Sequence, residues 1–260
     1  MLGRGGSVGG DSTEAARARK ELTVPVHQRW AIWLAVEGDL RFLSHHDTVR
    51  ALEYAATRAG LPLRYSQGFN PHPHLAVLPP CPVGVTSRDG IVVISLEQPN
   101  TDSRQVGESI SDEVLVSDLQ AQAPRGMRFL RAAPLAGGAM PLPWKVRYEL
   151  ALEKGQQDAV ASRLKELAER DRWMIARRTT PKRARPRAAM ESRDIDIRPM
   201  VADLRLERGI LSWSAVPCGD AWARPGEVLK LLGLDERIHL AAVERTAVEY
   251  NFAPRRTEAS

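Results

Sequence analysis

Between Leu40 and Val85 the chain reads LRFLSHHDTVRALEYAATRAGLPLRYSQGFNPHPHLAVLPPCPVGV, and four of its six histidines fall in that stretch. Side chains able to bind a ligand or move a proton (Ser44, His45, His46, Asp47, Ser66, Asn70, His72 and His74) stand there beside glycine and proline rather than on a periodic apolar face. Three chemistries suit the set. In the first, Ser44 and Asp47 cap a helix, Gly68 takes a positive φ and Asn70-Pro71 makes a turn, so the polar groups serve the local backbone. In the second, a helix N-terminus at Ser44 to Asp47 faces the QGFNPHP loop. Ser44, His45, Asp47, Ser66, Asn70 and His72 then form a small polar pocket for a phosphate, a base edge or a peptide carbonyl, and Phe69 and Tyr65 stack on a base. In the third, His45, Asp47 and His72 hold Zn²⁺ or Fe²⁺, or two histidines cleave a phosphodiester by acid–base transfer. The pocket is the leading expectation, with no metal and with catalytic residues unassigned.

A second constellation is basic. Arg177, Arg178, Lys182, Arg183, Arg185 and Arg187 follow one another with no acidic residue between them. The whole chain carries 37 Lys and Arg against 32 Asp and Glu, a net charge of +5, so this block concentrates the excess. Guanidinium forks without local neutralisation suit phosphates, which makes the loop 177–187 the expected nucleic-acid contact; a solvated loop or an acidic protein partner suits the same charges. The two cysteines, Cys81 and Cys218, lie far apart with no CxxC. That excludes a disulfide framework, a zinc knuckle and the ligand set of an iron–sulfur cluster. No run nears the roughly 18 apolar residues of a membrane span, and the first residues lack the apolar core of a secretory signal, so a cytoplasmic location is expected.

Positioning these groups falls to alternating strands and helices. Residues 30–36 (WAIWLAV) read as a buried strand ended by Glu37-Gly38-Asp39. A helix starts at Ser44, follows the stripe Val49, Leu52, Ala56 and Ala59, and stops at Gly60 before Pro62. Residues 63–66 and 74–78 give an interrupted strand and 90–96 (GIVVISL) a clear one. Thr101 or Asp102 caps a helix through Val106 and Ile110, and 126–132 is extended. That order, β-α-β-β-α-β, is the ferredoxin-like split arrangement. It recurs as a strand at 144–152, a helix at 156–170, an extended piece at 173–177, the basic loop, extended pieces at 195–199, 201–206 and 210–216, a helix at 225–232 and a strand at 239–250. The expected fold is α+β, with two ferredoxin-like (βαββαβ) units, the second with an enlarged middle. Residues 1–24 are expected to be a disordered extension, 25–133 the first unit, 134–143 a linker, 144–252 the second unit and 253–260 a tail.

The segments LRFLSHHD, SQGFNPHP, PPCPVGV, DIDIRP, RPGEVLKLLGL and VERT give the chain its resemblance, over about residues 28–250, to the radical-SAM-linked family of unknown function. Its members occur alone or as the C-terminal part of B12-binding radical-SAM proteins. The positions that match its signature are Phe42, Ser44, His45, Asp47, Arg50, Ser66, Gly68, Phe69, Asn70, Pro71, His72, Pro73, Gly84, Asp196 and Arg198. His46 stands where an apolar residue is usual. The resemblance implies a B12-binding radical-SAM protein as partner, which would carry the iron–sulfur cluster, SAM and B12, with no cofactor on this chain. The expected function is a non-catalytic RNA- or ribonucleoprotein-binding module working with a separate B12-dependent radical-SAM enzyme. An RNA-processing or RNA-modifying enzyme using His45 and His72, and a protein adaptor without nucleic-acid contact, are the alternatives.

Overall fold

Trp30 to Ala35 are all buried, so the first strand is covered on both faces rather than on one. A computed structural model describes residues 27–97, 110–136, 139–179 and 191–253 of the chain. The strands are β1 (His27–Val36), β2 (Leu75–Leu78), β3 (Thr86–Glu97), β4 (Met127–Leu135), β5 (Met140–Ala151), β6 (Met174–Thr179), β7 (Glu191–Asp196), β8 (Val201–Glu207), β9 (Ile210–Ala215) and β10 (Glu244–Ala253). The helices are α1 (His45–Arg58), α2 (Asp112–Ala121), α3 (Lys154–Ala168), α4 (Pro225–Leu231) and α5 (Glu236–His239). The fold is α+β, with one large mixed sheet in the order β4-β1-β3-β10-β5-β9-β8, and with β2 also on β3; β6 and β7 form a separate hairpin.

In the first half the strands run β4-β1-β3-β2, all antiparallel. In the second they run β10-β5-β9-β8, again all antiparallel. β3 is long enough to serve both halves. Its residues Ile91 to Ile94 pair with β2, while Thr86 and Ser87 pair in parallel with Glu244 and Arg245 of β10. On one face of the first half, Leu52 and Ala56 of α1 and Leu115 and Leu119 of α2 pack on Trp30, Ile32, Leu34, Val92 and Ile94. The second half closes around Tyr148, Leu150, Val160, Leu167, Leu211, Trp213, Val228 and Leu229, with the Tyr148 and Trp213 rings stacked 5.5 Å apart.

Several expected boundaries move. Within 134–143, where a linker is expected, β4 runs through Leu135 and β5 starts at Met140, with Pro141 and Pro143 opposite Phe252 and Tyr250; residues 137 and 138 lie outside the described residues. Residues 63–66 give only isolated bridges, Leu63 to Leu96 and Tyr65 to Pro73. Ile195 belongs to β7, and a 3₁₀ turn at Arg198–Met200 follows it. The last strand begins at Glu244, because Asp235 caps a short helix that ends on His239. A helix does precede β4, but it is α2, capped by Ser111. The cap expected at Thr101 or Asp102, the extension 1–24 and most of the tail lie outside the described residues.

Candidate functional site

Residues 63–74 double back on themselves beside β3. Arg64 donates its N–H to Ser95 O at 2.8 Å, and His74 donates its own to Arg64 O at 2.8 Å. One step further out, the Ser66 N–H donates to His72 O at 2.8 Å and the His72 N–H to Ser66 Oγ at 3.0 Å. The Ser66 hydroxyl therefore closes the loop. Beyond it Gln67 to Pro71 are exposed, and Phe69 at the tip is fully exposed, at 106%. The side chains of Asn70 and His72 face solvent and form no hydrogen bond among the described residues. Tyr65 is 40% exposed beside them.

The N-terminus of α1 is a separate feature. Ser44 Oγ accepts the Asp47 N–H at 3.2 Å and donates to the Asp47 carboxylate at 2.6 Å, so Ser44 caps the helix while the Asp47 carboxylate holds the Ser44 hydroxyl and takes no backbone N–H. The helix ends at Gly60, with φ at 68°, through bonds from Gly60 N–H to Thr57 O (3.0 Å) and from Leu61 N–H to Ala56 O (3.3 Å). No hydrogen bond or shared cavity joins Ser44, His45 and Asp47 to Ser66, Asn70 and His72 among the described residues. The expected single pocket is thus two features, an exposed loop and a helix start. Among the described residues no three His, Cys, Asp or Glu side chains converge on a metal position.

His45 borders a small, partly open cavity of about 30 Å³ between α1, β3 and β10. Arg245 of the VERT segment, 2% exposed, is part of its lining, and the sequence assigned it no chemistry. The guanidinium donates from Nε (3.1 Å) and Nη2 (2.8 Å) to Ser87 Oγ and from Nη1 to Pro79 O (3.0 Å). Gly90 makes room for it, since a Cβ there would sit 2.8 Å from Nη2. Burial pushes the Cys81 thiol up, with Arg245 pulling partly against it. Burial likewise pushes Tyr148 up to about 12 and raises Tyr250, so none of the three is an anion at neutral pH.

A family model described as an uncharacterized protein conserved in bacteria, DUF2344, matches residues 29–225. The chain belongs to that family. No curated protein matches it. A solved structure described as an unknown protein from Galdieria sulphuraria is similar to this chain at 13% identity, over 88% of this chain and 99% of that one, with a TM-score of 0.21.

Several motif residues of this DUF2344 chain serve the scaffold. The Asp196 carboxylate accepts the backbone N–H of Trp173 at 2.8 Å and of Arg198 at 3.0 Å, and Arg198 donates to Asp171 O at 3.1 Å. Glu227 of the RPGE motif accepts the Arg224 N–H at 2.9 Å and receives Arg177 in a two-pronged ion pair at 2.6 Å, with both side chains about nine-tenths buried. Arg177 also donates to Trp222 O at 2.9 Å. It therefore points inward and is neutralised, unlike the free phosphate ligand expected of it. Lys182, Arg183, Arg185 and Arg187, and the side chain of Arg178, lie outside the described residues; their segment connects β6 to β7.

Proposed function

We propose that this chain is a non-catalytic RNA-binding module, built of two ferredoxin-like units, that works beside a B12-dependent radical-SAM enzyme in the cytoplasm. The observation that carries the reading is Phe69, an aromatic ring held fully in solvent at the tip of a hydrogen-bonded loop. Burying a phenylalanine ring is strongly favourable, so one held out in water is available to stack on a base. Asn70 and His72 flank it with unpaired donors and acceptors suited to a base edge or a phosphate. The net charge of +5 and the rest of the basic block, Arg178, Lys182, Arg183, Arg185 and Arg187, add attraction for a polyanion. The repeated strand order, last-first-third-second in each half, supports the paired ferredoxin-like reading. The radical-SAM partner rests on the family resemblance, as do the iron–sulfur cluster, SAM and B12 assigned to that partner.

Anisotropy of a labelled single-stranded RNA against salt tests the reading. Phe69→Ala is expected to weaken binding by about 1–3 kcal/mol with little change in salt slope, because stacking releases no counterions. Replacing Arg183, Arg185 and Arg187 with Gln is expected to flatten the slope by about 0.7 for each phosphate that is no longer neutralised. RNA affinity untouched by either set overturns the proposal, and co-purification of a radical-SAM protein without RNA would then favour the adaptor.

A further inference from the structure

We propose that an open cleft between the base of the Phe69 loop and the start of β1 holds a backbone phosphate of the RNA, with Arg64 as its principal donor, an assignment that rests on the RNA reading. The cleft has a volume of about 360 Å³, room for a phosphodiester group, and His27, Arg29, Arg64, His74 and Ser95 border it. Among the described residues no Asp or Glu lines it. Glu97, opposite His27 across β1 and β3, is exposed, stays out of the lining and forms no ion pair among those residues.

Backbone pairing brings these side chains together. The Arg64 N–H donates to Ser95 O at 2.8 Å, the Ser95 N–H to His74 O at 3.1 Å and the His74 N–H to Arg64 O at 2.8 Å, a closed ring of three bonds. Arg29 stands opposite Ser95 in the β1–β3 register. Arg64 and His74 are thus the two feet of the loop that carries Phe69, both fixed to β3. Phe69 lies five residues from each foot. That is at most about 18 Å of extended chain, so one short strand of RNA can stack a base on the ring and lay a phosphate in the cleft.

Donors remain for such a phosphate. Arg64 Nη1 meets His27 Nδ1 at 2.7 Å. A guanidinium can only donate, so Nδ1 accepts and His27 keeps an N–H at Nε2. The contact engages one N–H of Arg64 and steadies its fork, and no carboxylate pairs with that guanidinium among the described residues. The His74 ring is exposed and forms no side-chain hydrogen bond among the same residues. Arg29, whose Nη2 donates to Ala139 O at 2.9 Å, adds a second permanent cation. Two guanidinium groups and two imidazoles without an acid among them suit a phosphate, and the exposed ring on the same loop favours nucleic acid over an acidic peptide.

Salt titrations of the full chain with labelled single-stranded RNA test the site. Arg64→Gln is expected to weaken binding about tenfold and to lower the salt slope by about 0.7, the share of one phosphate. Arg172→Gln removes the same charge from an exposed side chain in the second half and is expected to leave both nearly unchanged. Should Arg64→Gln not fold, His74→Ala decides instead, with an expected loss of about threefold. An unchanged slope in Arg64→Gln, or unchanged affinity in His74→Ala, while Phe69→Ala still weakens binding overturns this site and leaves the RNA reading standing. An equal effect of Arg172→Gln reduces the cleft to net charge and overturns it as well. Displacement of the RNA by polyglutamate at equal charge, lost in Arg64→Gln, would give the cleft to an acidic protein and overturn the assignment. No RNA binding by the unaltered chain overturns both.

Discussion

Asn70, His72 and Ser66 share one loop, yet their bonds divide them into two kinds. Asn70 and His72 point to solvent without partners, whereas the Ser66 hydroxyl accepts the His72 N–H at 3.0 Å. Asn70→Ala and His72→Ala are therefore expected to change stability by less than about 0.5 kcal/mol while reducing RNA affinity, and Ser66→Ala to cost about 1 kcal/mol. Urea denaturation beside the RNA titration checks both. Loss of stability in the first two with affinity intact would make them scaffold residues. At this scale the sequence was legible where chemistry is local: Ser44 and Gly60 begin and end α1 as their spacing announces. Arg245 was not legible, because its hydroxyl partner Ser87 lies 158 residues away and nothing near Arg245 in the chain marks it as buried.

The β6–β7 hairpin is the element that carries the basic segment, and one ion pair ties it to α4. Arg177 enters from β6 and meets Glu227 in the first turn of α4, where the same carboxylate also takes the Arg224 N–H. Removing Glu227 leaves a buried guanidinium unpaired and a helix start uncapped. Glu227→Ala is expected to cost about 3–5 kcal/mol, and Arg177→Met with Glu227→Leu to recover most of it, since an apolar pair of similar volume avoids burying charge. Urea midpoints report the cost, and faster amide exchange in 174–179 in the single variant would place it on the hairpin. A loss below about 1 kcal/mol would mean that the pair does not hold the hairpin. Helices and central strands were readable because their apolar periods are intrinsic, as at 154–168 and 225–231. The stretch 134–143 misled because proline and glycine signal a break, whereas β5 accommodates Pro141 and Pro143 within its pairing to β10. Arg177 misled for a related reason: six cations in a row look alike until the fold supplies an acid from fifty residues on.

Each half of the molecule has its own strand order, but neither closes its core alone. The parallel pairing between β3 and β10 spans only two residue pairs, which is weak as a backbone joint. Side chains make up the difference. Val85 from the first half sits in the core of the second, and Tyr250 of β10 packs with Trp33, Ile91 and Val93 while its hydroxyl donates to Leu78 O at 2.9 Å. Arg88 and Glu244 clasp across the same seam in a bidentate pair, and the Asp89 carboxylate accepts the Val248 N–H at 2.9 Å. The seam also holds Arg245, whose guanidinium donates to Ser87 Oγ and Pro79 O. Shared packing of this kind predicts one cooperative unfolding unit rather than two domains melting in turn. Native-state hydrogen exchange is expected to give the slowest amides of β1 and β9, strands from opposite halves, the same opening free energy. Tyr250→Ala should lower both by the same amount, about 3–5 kcal/mol if the site does not collapse around the lost ring. A fall in one strand with the other unmoved would separate the halves and remove the ground for a single unit.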